Sequence, residues 1–198
     1  MVFSPSQSKD NEPWRLPPTT SRDQLLDESG GDTHFRRMIY DIFTMTVNFD
    51  RIRESLAITL GLSGIQYHIL MVVAELSPVI PVSISKIAER LHTSGPYVTM
   101  ETKKLLGKGY LEKTPNPKDG RSVLVNLTSE GRELIESFAP ELRDINDNLF
   151  EGIGPNTFKQ FCTIVDHMTR TSTRAADLAE LLSQKPTHED TTVSAIGR

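Results

Sequence analysis

The chain has 198 residues, 37% of them apolar and 24% charged, with a net charge of −4; this fits one ordinary domain or two small ones that share helices. The longest apolar run, Ile69 to Ala74, falls far short of the roughly 20 residues of a membrane span. No basic start followed by an apolar stretch marks a secretory signal, and the lone Cys162 rules out a disulfide within one chain, so a cytoplasmic protein without membrane contact is expected. The charge is uneven: the segment from Lys86 to Arg121 holds eight basic and four acidic residues, a net of +4, and leaves −8 for the rest. Such a block suits contact with a nucleic acid.

Residues 1–30 are rich in Ser, Pro, Thr, Asp and Gly, with scattered apolars at Trp14, Leu16, Leu25 and Leu26. They read as a flexible arm with room for one short helical turn. From there Phe35, Met38, Ile42, Met45, Phe49, Ile52, Leu56 and Leu60 step by three and four, the period of a helix of about 28 residues with a continuous buried stripe. Ile39, Phe43 and Val47 widen that stripe beyond what a small domain covers. Gly61 ends the helix, and Ser63 with Gln66 three residues later forms a capping box for the next one, whose inner face is Tyr67, Leu70, Met71 and Ala74. Pro78 and Pro81 then break the chain. Val82 to Ile84 is a short β-type segment, and Ser85 is the expected cap of a short helix to Leu91.

A turn at His92 and Thr93 leads to Ser94, the next N-cap, with Pro96 in the first turn. This helix runs to about Lys108 and stops at Gly109. Leu111 to Thr114 and Ser122 to Leu127 are strand-like and flank a polar, basic tip at 115–120, a hairpin. Thr128 caps a further helix with Glu130 near its positive end and a stripe of Leu134, Phe138, Leu142, Ile145 and Leu149. Gly152, Gly154 and Pro155 turn the corner into a last helix carrying Phe158, Phe161, Val165, Met168, Ala175, Leu178 and Leu182. After about Gln184 the composition is again that of a flexible tail, 185–198. Cys162, among Phe158, Phe161 and Val165, is expected to be buried and inert.

Two short helices joined by a tight turn and followed directly by a hairpin make a winged helix-turn-helix. A helix fits the major groove, where base edges are distinguishable, and a basic hairpin tip suits the negative minor groove. Ser85 to Leu91, Ser94 to Thr99, Leu105 to Lys113, and Asn116 to Gly131 with its Asp119-x-Arg121 element carry the pattern in detail. On those residues the chain resembles the MarR family of transcriptional regulators. The resemblance implies a mainly α fold with a small β wing. A winged helix-turn-helix DNA-binding domain at 62–131 would join a helical dimerisation domain formed by 31–61 and 132–184. It also implies a homodimer on double-stranded DNA. Ser94, Pro96, Tyr97 and Thr99 would lie at the exposed start of the recognition helix, Lys103 and Lys104 near the backbone, Lys118 at the wing, and Arg121 in the minor groove, oriented by Asp119. This chain departs from the family pattern at Met100, where an arginine is common, at Glu101 and Thr102, which replace frequent apolar residues, and at Gly120, which replaces a wing basic residue.

The resemblance further implies an effector where the first two helices meet. Asn48, Arg51, Arg53, Gln66 and His68 gather there beside Phe49 and Tyr67, and arginine with histidine on aromatic surface suits a small aromatic carboxylate or its thioester. The expected function is therefore sequence-specific repression of transcription, released by such an effector. The alternative is a dimeric helical interaction protein of the same fold that no longer binds an operator. No cofactor is expected. His34, His68, His92, His167 and His188 lack metal-ligand spacing. Enzyme signatures fail as well: Ser83-Ile84-Ser85-Lys86 stands without its companion motifs, and Gly152-Ile153-Gly154 follows a helix and lacks a third glycine.

Overall fold

The computed structural model describes residues 14–117 and 122–184. Its elements in chain order are α1 (Thr33–Thr59), α2 (Gly64–Leu76), α3 (Ile84–Arg90), α4 (Gly95–Gly107), β1 (Leu111–Pro115), β2 (Val123–Leu127), α5 (Ser129–Leu149) and α6 (Pro155–Ser183). The fold is mainly helical with one two-stranded antiparallel wing, in register from Leu111 opposite Leu127 to Pro115 opposite Val123. The chain divides into two compact units, one up to Ala139 and one from Pro140 onward. The boundary falls inside α5 at a proline, which removes one helical hydrogen bond and weakens the helix there.

In the first unit the core forms around α2. Ile69, Leu70 and Val73 of that helix are fully buried against Ile87 of α3, Val98 and Leu105 of α4, and Val125 of β2. The capping box forms as read: Ser63 accepts from the Gln66 amide and the Gln66 side chain accepts from the Ser63 amide, both at 3.4 Å. Gly61, at φ +65°, takes the left-handed conformation that releases the chain from α1. The expected third strand is reduced to a single bridge, Ser83 to Leu124, beside a bond from the Val125 amide to the Val82 carbonyl at 2.8 Å. That pairing extends the backbone at Ser83, so Ser83 and not Ser85 caps α3, accepting from the Lys86 amide. Thr128 accepts from the Gly131 amide at 3.0 Å and starts α5. Gly131 sits so close to the Tyr110 carbonyl oxygen that an added Cβ would collide with it.

Ahead of α1, Asp23–Leu25 form a 3-10 turn, and the buried Asp32 accepts from both the amide and hydroxyl of Thr19 at 2.6 Å and pairs with Arg36. α1 itself buries only Leu56 and Ala57. Much of its apolar stripe is exposed among the described residues, at Met38, Phe43, Met45, Val47 and Phe49. In the second unit, α6 buries no residue, and Ile164, Val165, Met168, Leu178, Leu181 and Leu182 are exposed. Cys162 is exposed on this helix, which corrects the expectation of a buried thiol. Its neighbours Phe158 and Val165 are exposed too. Among the described residues no single helix is long and apolar enough to cross a membrane.

Candidate nucleic-acid interface

α3 and α4 are held at a tight turn, Leu91 to Thr93, in which His92 adopts φ +48°. A non-glycine residue pays a steric cost in this left-handed region. Ser94 then caps α4, accepting from the Tyr97 amide at 3.4 Å, with a proline in the first turn. The helix buries Val98, Glu101, Thr102 and Leu105. That arc leaves Pro96, Tyr97, Thr99, Met100, Lys103 and Lys104 exposed, so the residues expected to meet DNA share the outward side of one helix. Ser94 is exposed too, but its hydroxyl is committed to the cap, and the Thr99 hydroxyl donates to the Gly95 carbonyl at 2.9 Å.

Lys104 is not a free cation. Its ammonium lies 2.7 Å from the Glu101 carboxylate, whose side chain is only 5% exposed. The second Glu101 oxygen accepts from Gln66 Nε2 of α2 at 2.9 Å. Burial pushes the Glu101 carboxyl up, but the hydrogen bonds from Lys104 and Gln66, together with the lysine charge, outweigh it and hold the group below its usual value. The polar residue that replaces an apolar one at this position therefore ties α4 to α2. Glu101 lies on the inward arc by helical period, three residues after Val98 and four before Leu105; its partner, 35 residues away, carries no sequence signal. The neighbouring Thr102 hydroxyl is buried without a partner among the described residues.

At the wing, Asn116 and Ser122 close the described strand ends through a side-chain bond of 2.7 Å and a backbone bond of 3.2 Å. Lys118, Asp119 and Arg121, the wing residues expected to reach the groove, lie outside the described residues. The effector residues separate into two groups. Arg51 donates to Asn48 at 3.4 Å on an exposed stretch of α1. Arg53 pairs with Asp50 at 3.2 Å and Glu54 at 3.1 Å, while its Nε is buried with no partner among the described residues. A cavity of about 460 Å³ brings Arg53, Glu54 and Gln66 together with Tyr97, Glu101 and Lys104 of α4, and Asn48, Arg51 and His68 do not line it. His68 is partly buried beside Tyr67, ring centres 6.0 Å apart. Burial, followed by the Arg53 charge, lowers its pKa. Among the described residues no cluster of histidine, cysteine and carboxylate ligands could hold a metal ion.

Residues 60–122 match the sequence profile of the MarR family. The multiple antibiotic resistance proteins MarR of Salmonella typhimurium and Salmonella typhi are each 30% identical over 95 residues, 48% of this chain. The matched region spans 64% of those relatives' length, less than two thirds. Among solved structures, a MarR/EmrR family regulator from Acinetobacter sp. ADP1 superimposes with a TM-score of 0.60 at 21% identity, covering 70% of this chain and 96% of that one. The MarR protein from Peptoclostridium difficile DA00132 follows at 0.58 and 16%, covering 70% and 88%. MepR of S. aureus, solved as a DNA complex, gives 0.56 at 17%, covering 67% and 95%. At these identities the likeness is one of fold.

Proposed function

We propose that the chain, whose residues 60–122 match the MarR-family profile, is a cytoplasmic, homodimeric, sequence-specific DNA-binding regulator, a repressor released by a small effector. The observation that carries this is the capped α4 packed on α2 and α3, with Pro96, Tyr97, Thr99, Met100, Lys103 and Lys104 outward and a β-wing directly after it. The net +4 segment from Lys86 to Arg121 coincides with these elements. Ser94, Pro96, Tyr97, Thr99 and Lys103 form the proposed reading side. Lys118 and Arg121, oriented by Asp119, are the proposed wing contacts. Lys104 contributes less, because Glu101 already compensates its charge.

Homodimerisation is supported by the uncovered apolar side chains of α1 and α6, since large exposed apolar patches mark protein interfaces. A two-fold dimer would place its readers about one helical turn of DNA apart. For the effector we propose a small aromatic acid or its thioester at Arg51, Arg53 and His68, flanked by Asn48 and Gln66. Gln66 supports coupling, because it also holds Glu101 of α4. A ligand that draws on Arg53 or Gln66 would disturb the seat of the reader, as linkage requires.

The test is recovery of genomic fragments bound by the purified chain, followed by salt-titrated binding to the recovered duplex. Affinity should fall steeply with salt, and an aromatic acid or thioester should release the duplex in wild type but not in the Arg51→Ala/Arg53→Ala double variant. Salt-independent or absent binding would remove the DNA function. Equal ligand affinity in wild type and double variant would remove the arginines from the effector site.

A further inference from the structure

The outward pole of α4 is chemically unusual for a helix that reads bases. Buried Val98, Glu101, Thr102 and Leu105 define its inner pole, and at about 100° per residue Pro96, Met100 and Lys103 lie opposite. Major-groove readout by hydrogen bonding uses arginine or lysine for guanine, asparagine or glutamine for adenine, and a carboxylate for cytosine. The α4 sequence, Gly95 to Gly107, has no Arg, Asn, Gln or Asp. Its one carboxylate, Glu101, is buried and bound to Gln66 and Lys104. The Thr99 proton is committed to the Gly95 carbonyl, so this side chain can donate nothing to a base edge and offers its methyl beside an oxygen that only accepts. Met100 is 49% exposed at the middle of this surface, with the Pro96 ring one turn before it. Apart from Lys103, the central surface offers methyl and methylene groups.

Resting on the DNA-binding function, we propose that this chain reads thymine through the C5 methyl group, with Met100 at the centre of the contact and Pro96 and Thr99 beside it. Each half-site then carries thymines where α4 meets the major groove. The thymine methyl is the one apolar feature on that edge of a base pair. A methionine side chain, unbranched and polarizable, can mould to it. Lys103, on the same pole one turn after Met100 and with a longer side chain, supplies the positioning charge on the phosphates.

The test uses the full chain and a pool of random duplexes. Selection should enrich a two-fold site with thymine at the same position in each half. Those thymines are then replaced by uracil, which keeps every hydrogen-bonding group and lacks only the methyl. Affinity should fall about fourfold per methyl removed. Met100→Ala, an exposed position that should fold normally by circular dichroism, should lose a similar factor on thymine duplex and nothing further on uracil duplex. Equal affinity of wild type for both duplexes overturns the methyl readout, as does an unchanged thymine-to-uracil ratio in Met100→Ala. Either result leaves DNA binding itself standing. No enrichment of any duplex overturns the DNA function and the methyl readout together.

Discussion

Replacing Glu101 by alanine tests whether the buried polar link seats α4 on α2. The variant removes the acceptor for Gln66 Nε2, a buried bond of 2.9 Å, and the partner of Lys104 at 2.7 Å. A hydrogen bond to a charged group contributes about 1.5–3 kcal/mol, and an orphaned buried donor costs about 1–3 kcal/mol. The lysine arm is discounted, because its side chain is 53% exposed and exposed pairs contribute about 0–1 kcal/mol. Against these losses stands relief of the desolvation of a carboxylate that is only 5% exposed. The net expectation is a loss of about 2 kcal/mol, or about 4–8 °C in Tm for a chain of this size.

Urea unfolding followed by circular dichroism at one fixed protomer concentration measures it, since an assembling chain changes stability with concentration. A cycle with Gln66→Ala should give a coupling of about 1 kcal/mol or more. The pH dependence has a definite sign. The folded carboxyl lies below its unfolded value of about 4.5, so its contribution is present above that pH. It is lost as pH falls through the lower folded value, and wild type and Glu101→Ala should converge there. Additive effects of the two substitutions, or a stability gap unchanged into acid, would refute the link.

Three further outcomes follow from single positions. Thr102→Val should stabilise the fold by about 1 kcal/mol, because it removes a buried hydroxyl that has no partner among the described residues and keeps the shape; a loss in thermal unfolding would show that the hydroxyl is satisfied. Gly131→Ala should destabilise by about 2 kcal/mol through collision with the Tyr110 carbonyl, despite the better helix propensity of alanine, and chemical denaturation gives the sign. On DNA, Lys103→Ala should flatten the salt dependence by about one unit. Lys104→Ala should flatten it less, because Glu101 holds that charge; equal slopes for the two variants in salt-titrated binding would contradict the difference.

Much of the fold was legible because its signals are local. The capping box at Ser63 and Gln66, the caps at Ser94 and Thr128, and the chain reversal at Gly61 each depend on residues within one turn. The order of helices and hairpin followed from periodicity over single elements. Where sequence reasoning misplaced a feature, a distant partner had decided it. Ser83 and Ser85 are equivalent caps by local chemistry, and only the pairing of Val82 and Ser83 with β2 selects the first. Met100 and the other outward residues of α4 could be placed by helical period, but that Lys104 is compensated and Lys103 is not in that pair depended on Glu101 turning inward. Helical period could place Glu101 on the inner arc of α4 and could not say what would meet it there. The acceptor it supplies to Gln66 exists only once α2 and α4 pack, because a buried carboxylate is tolerated where the tertiary fold brings it donors.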